Sequence, residues 1–197
     1  MTSSIPMFQV SQIGPNSFVF YNSVTDPLGF VEKLNSSIKL SDWKNEGVDD
    51  SQCLDVKLNH EKSNLYYKEV SFSDDEDGLS LYIKNSIKMA FWSTSDLYSK
   101  AYGLKNIKSS TAKIYKQMPS SIFDSSNLES KSFTAILFLN RSSSSSETVL
   151  VESEFTSQFT TSDGSVLIIP PGSSYKIGHD QDSDRYYCVY NFSSAII

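Results

Sequence analysis

The apolar residues of this chain follow two different spacings. From Thr111 onward they fall in short extended runs separated by turn signals: Ala112–Met118, Ser132–Asn140, Thr148–Val151, Phe155–Thr160, Ser165–Ile169, Tyr175–Ile177 and Arg185–Phe192. Runs of this length predict strands. Asp163-Gly164 between two of them is a strong turn dipeptide. Seven closely spaced strands predict a sandwich or jelly roll. In Tyr186-Tyr187-Cys188-Val189-Tyr190, strand alternation puts Tyr186, Cys188 and Tyr190 on one side and Tyr187 and Val189 on the other. One side is read as core, the other as a contact surface.

Before Thr111 the pattern is mixed. Residues 1–16 are read as an arm or short strand pair, broken by Pro6 and Gly14-Pro15, and 17–197 as one domain. Phe18–Tyr21 reads as a strand. Asp26-Pro27 opens a helix: Asp is a preferred cap, and Pro is tolerated at the first helical position. Leu28, Val31, Leu34 and Ile38 give that helix an apolar face. Trp43 follows as a core anchor. Leu54, Val56 and Leu58 alternate as in a strand, His60 reads as solvated, and Tyr66–Phe72 as a strand. Asp74–Asp77 reads as a solvated acidic turn without the ligand spacing of a calcium loop. Asp77 is the expected cap of a helix carrying Leu79, Ile83, Ile87, Ala90 and Phe91, with a second short helix from Ser95 to Tyr102 stopped by Gly103. The helices lie in the first half, so they are expected to buttress a β core.

Composition narrows the functional classes. The chain has 197 residues, 39% hydrophobic and 13% aromatic, enough for a sizeable core. A net charge of −6 without a Lys/Arg cluster speaks against a nucleic-acid partner. No run approaches the ~18 apolar residues of a membrane span. The beginning, MTSSIPMFQV, lacks the basic and apolar regions of a signal peptide, so the expected location is cytoplasm or virion. Cys53 and Cys188 read as two buried thiols rather than a pair. Serine is abundant throughout, including Ser142–Ser146, so no single serine signals a nucleophile, and no Gly-x-Ser-x-Gly or phosphate-binding Gly-rich loop occurs.

Three phrases carry a resemblance: Tyr115–Asp124 (YKQMPSSIFD), Phe133–Asn140 (FTAILFLN) and Asp163–Arg185 (DGSVLIIPPGSSYKIGHDQDSDR). Taken in order over residues 17–195, the chain resembles the 2-oxoglutarate and iron(II)-dependent oxygenases, in particular the compact prolyl-4-hydroxylase-like proteins of bacteria and phages. The resemblance implies a double-stranded β-helix (jelly roll) buttressed by N-terminal helices. It also implies an iron centre of two histidines and one carboxylate, with open positions for cosubstrate and oxygen.

The site residues depart from that pattern. Asp124 matches the carboxylate, but Ile122 stands where the first histidine belongs, and Tyr175 where the second belongs. Arg185 matches the residue that pairs with the distal carboxylate of 2-oxoglutarate. The chain has two histidines. His60 precedes the β core, and His179 falls four residues past the expected slot, in a polar loop with Asp180 and Asp182.

The resulting expectation is a non-catalytic oxygenase-like jelly roll with no cofactor. It would have a structural or binding role among protein partners, itself or other subunits of an assembly such as a phage virion. The alternative is an active oxygenase using iron(II) and 2-oxoglutarate, with Asp124 and His179 on the metal and Arg185 on the cosubstrate. A third reading is a small-ligand or carbohydrate-binding jelly roll with Trp92, Tyr175, Tyr186 and Tyr187 lining a groove.

Overall fold

The computed structural model describes residues 9–46, 65–73, 78–119, 121–124, 132–140, 148–152, 156–179 and 183–196. In chain order these form β1 (Gln9–Gly14), β2 (Ser17–Tyr21), α1 (Pro27–Ser37), a 3-10 turn (Leu40–Asp42), β3 (Lys44–Asn45), β4 (Leu65–Ser71), α2 (Leu81–Ala101), β5 (Leu104–Ile107) and β6 (Thr111–Gln117). The chain then runs through β7 (Ser121–Asp124), β8 (Phe133–Phe138), β9 (Thr148–Glu152), β10 (Thr156–Thr160), β11 (Val166–Ile169), β12 (Ser174–His179) and β13 (Arg185–Ile196).

Two sheets face each other. The large one has the order β1-β2-β11-β8-β13-β6-β4-β3, with β5 added on β13; the small one is β10-β9-β12-β7. Strands β6 to β13 pass between them as a double-stranded β-helix, and every recorded strand pair is antiparallel. This is the expected jelly roll. It contains three strands that the sequence did not indicate, β3, β5 and β7.

The helices lie where expected, with altered faces and limits. Asp26 caps α1 by accepting from Gly29 N at 3.1 Å. Its buried face is Phe30 and Leu34, continued by Ile38, whereas Leu28 is 59% exposed. Ser80, not Asp77, caps α2, and α2 runs unbroken through the segment expected to separate two helices. Thr94 does not interrupt it, because Thr94 Oγ1 donates to Ala90 O at 2.7 Å within the helix. Gly103 ends that region at φ +63°, as a C-terminal glycine should.

The large sheet is buried on both faces. Phe30, Leu34, Ile83, Ile87, Phe91 and Tyr98 pack from the helices onto Ile114, Leu137, Cys188, Tyr190 and Phe192. The opposite face meets the small sheet through Tyr115, Ile136, Phe138, Leu167 and Tyr187 against Phe123, Val151, Tyr175 and Ile177. Both sides of β13 are therefore core, which corrects the expectation that one side is a contact surface. Cys188 is a buried free thiol. Trp43 is half-buried against the helix-side core, as its reading as an anchor requires.

Gly164 ties the first strands to the barrel. Its N–H donates to Phe138 O at 2.7 Å, and its carbonyl accepts from Ser23 N at 2.8 Å and Val24 N at 3.2 Å. Its φ is +72°, and a Cβ there would come within 2.6 Å of Val24 O, so only glycine closes this joint. The expected strand at Leu54–Leu58, together with Cys53, His60, the Asp74–Asp77 turn, Ser142–Ser146, Asp180 and Asp182, lies outside the described residues.

Candidate functional site

The candidate site lies inside the barrel, where β6 and β13 of the large sheet face β7 and β12 of the small one. Strand register sets its floor. Tyr67, Tyr115, Tyr187 and Phe138 are paired successively across β4, β6, β13 and β8, so four aromatic residues form one row. Tyr115 and Tyr187 stack at 5.3 Å with 16° between planes, and Tyr67 lies 6.1 Å from Tyr115. From the small sheet, Phe123 contacts Tyr115 at 5.4 Å and Tyr175 at 5.6 Å.

Strand parity decides which residue of β7 enters this tier. Phe123 is buried and Ile122 is 73% exposed. The inward residue of β7 is thus Phe123, paired with Ile177 and in ring contact with Tyr175, not the Ile122 expected at the histidine position. Two adjacent apolar residues had left the parity ambiguous, and shifting by one residue exchanges the faces.

The next row is polar. Arg185 and Gln117 face each other across the β6–β13 ladder. Arg185 is 1% exposed; its Nη1 donates to Gly178 O at 2.8 Å and its Nη2 to Thr161 Oγ1 at 2.9 Å, while its guanidinium carbon lies 5.3 Å from the Phe138 ring centre. Gln117 Nε2 donates to Ile177 O at 2.9 Å and Ser121 O at 3.0 Å. The two side chains thus bind consecutive carbonyls of β12. Asn140, the Asn of the Leu-Asn phrase, holds the start of β13: Nδ2 donates to Asp184 O at 2.9 Å, and Oδ1 accepts from Tyr186 N at 2.6 Å. Gln117 and Thr161 were not singled out in the sequence. Gln117 meets Ile177, and Thr161 meets Arg185, across long stretches of chain, so no local spacing marks those contacts.

Burial dominates the electrostatics. Desolvation pushes the Tyr115, Tyr175 and Tyr187 phenols well above their ordinary range. For Tyr187 the neighbouring Tyr175 and Tyr115 act in the same direction, and Arg185 opposes them. All three are neutral phenols at physiological pH.

These residues do not fit a two-histidine, one-carboxylate iron centre. Phe123 has no donor atom. Tyr175 would have to lose a proton that its surroundings retain, and metal ligation requires the deprotonated form. The side chains of Asp124 and His179 lie outside the described residues. Their backbone positions are separated along the β7–β12 ladder, with Asp124 opposite Lys176 and His179 opposite Ser121. Three residues of strand span about 10 Å. Among the described residues, no three His, Cys, Asp or Glu side chains converge on a point. Tyr175, Tyr186 and Tyr187 are core residues rather than groove walls. Among the described residues, no helix is long and apolar enough to cross a membrane.

No protein-family model matches the chain, and no curated protein matches its sequence. Solved structures do match its fold. The carbocyclase SnoK from nogalamycin biosynthesis, described as non-haem and α-ketoglutarate-dependent, aligns with a TM-score of 0.61 at 9% identity over 90% of this chain and 79% of its own. A prolyl hydroxylase from Trichoplax adhaerens, solved with a hypoxia-inducible-factor peptide, aligns at 0.56 and 12% identity over 94% and 83%. JOX2, solved with 2OG, Fe and JA, aligns at 0.55 and 8% identity over 93% and 69%. The chain therefore has the double-stranded β-helix fold of the 2-oxoglutarate and iron(II)-dependent oxygenases.

Proposed function

We propose that this chain is a non-catalytic protein of the oxygenase fold that acts by binding other protein subunits, as an accessory component of a larger assembly such as a phage virion. The observation that supports it is the Phe123–Tyr175 contact at 5.6 Å. Both are inward residues: Tyr175 stands in the slot of the second metal histidine, and Phe123 adjoins the exposed Ile122, which stands in the slot of the first. A fold can persist after its site has changed, because function resides in particular side chains placed on the scaffold. The partner and the assembly rest on the family resemblance.

The fold likeness favours a second reading, since the neighbours described above include iron and 2-oxoglutarate enzymes. On that reading Arg185 holds the cosubstrate, with Asp124 and His179 on the metal. One experiment separates the two. Protein purified anaerobically with iron(II) is assayed for bound metal and for succinate released from 2-oxoglutarate. The binding reading expects neither stoichiometric iron nor succinate above a protein-free control. Iron-dependent succinate release abolished by Arg185→Ala would overturn it. The assembly role is tested separately by mass spectrometry of purified particles; recovery only as free monomer counts against it.

A further inference from the structure

Among the described residues, Tyr187 and Gln117 each carry an enclosed polar atom without a hydrogen-bond partner. Tyr187 is fully buried, and its Oη makes no hydrogen bond among the described residues. Gln117 is also fully buried; its hydrogen bonds to Ser121 O and Ile177 O both use Nε2, and among the described residues its Oε1 makes none. Their positions are related. Gln117 faces Arg185 across the ladder, and Tyr187 is two residues beyond Arg185, on the same inward side. Such diagonal positions lie about 7–8 Å apart at the backbone, within reach of long side chains.

The two atoms differ in kind. Tyr187, kept neutral by burial, offers an O–H donor, and the Gln117 amide oxygen offers an acceptor. Buried polar groups are normally satisfied, by protein or by ordered water. We propose that Tyr187 and Gln117 share one enclosed guest bearing a hydroxyl group, either a trapped water or the hydroxyl of a small ligand. The guest accepts from Tyr187 and donates to Gln117. A metal ion cannot accept the first bond, and a carboxylate anion cannot donate the second. The site therefore differs in chemistry from an iron or cosubstrate site.

Tyr187→Phe is the chosen variant, because it removes one oxygen and leaves both Gln117 Nε2 bonds in place. High-resolution crystal structures of the full chain and the variant are compared. The expected wild-type result is density within hydrogen-bond distance of both Tyr187 Oη and Gln117 Oε1, lost in the variant with the fold unchanged. An isolated peak identifies water, and density extending beyond it identifies a ligand hydroxyl. In solution, oxygen-17 relaxation reads one long-lived water fewer in the variant if the guest is water, and native mass spectrometry reads a bound mass lost in the variant if it is a ligand. Direct bonding of either atom to protein, an empty site, or density unchanged in Tyr187→Phe would overturn the proposal.

Discussion

The two faces of the large sheet are built from the same strands and finished differently. On the helix side, buried tyrosine hydroxyls have partners. Tyr98 donates to Asn16 O at 2.9 Å, and the Tyr190 oxygen accepts from Ser109 N at 2.9 Å. The side is otherwise dominated by aliphatic and phenylalanine packing, such as Phe91 stacked on Tyr190 at 5.0 Å. On the barrel side, a row of aromatics adjoins Arg185, Gln117 and Thr161, and Tyr187 Oη has no partner among the described residues. An isolated buried hydroxyl reduces stability. The barrel side gathers Arg185, Gln117 and Thr161 around β12, whereas the helix side spreads its buried polar groups, Thr94, Ser95 and Ser99, along α2.

The comparison can be broken most directly from the helix side. Phe91→Ala removes a fully buried ring and should cost roughly 3–5 kcal/mol, read by urea unfolding. A loss near zero would mean that this face contributes little to stability. A smaller effect tests the barrel side. Arg185→Met keeps an apolar stem but removes the donors to Gly178 O and Thr161 Oγ1; it should cost about 2–3 kcal/mol. Equal unfolding midpoints for variant and wild type would show that these bonds do not hold β12.

A third test involves both faces and is read with alkaline pH. Burial raises the phenols of Tyr98, Tyr115, Tyr175 and Tyr187 above their ordinary value of 10.0, and the Cys188 thiol above 9.0. Below those ordinary values both folded and unfolded chains keep these protons, so the contribution is fully present. Above them the unfolded chain releases protons that the folded chain retains, and stability falls as pH rises. The slope is at most about 1.4 kcal/mol per pH unit for each group. Stability that stays flat from pH 9 to 11 in denaturant titrations would contradict the enclosed state of these groups.

Much of this was legible in the sequence. The strand runs after Thr111 and the Asp26-Pro27 opening reflect local rules, alternation and capping, so they could be read directly. Arg185 and Tyr175 could be placed because each follows a strand by a fixed interval. Phe123 could not, because Ile122 and Phe123 are both apolar and only the pairing of β7 with β12 fixes the parity. The limits of α2 were missed because Ser and Thr usually favour helix ends; here Thr94 satisfies its hydroxyl within the helix. Gln117 and Thr161 gain their roles from strands brought together by topology.

The Gly164 joint has a consequence for how the chain is made. Phe20 on β2 pairs with Val166 on β11, and the loop after β2 hangs on Gly164. At about 5–20 residues per second of synthesis, β2 waits roughly 7–30 s for that partner to be made. During that interval one edge of an apolar strand is open to neighbouring chains. The β1–β2 hairpin covers its other edge from the outset. Substitutions that weaken the hairpin should therefore reduce the yield of soluble protein more than they reduce the stability of the finished fold.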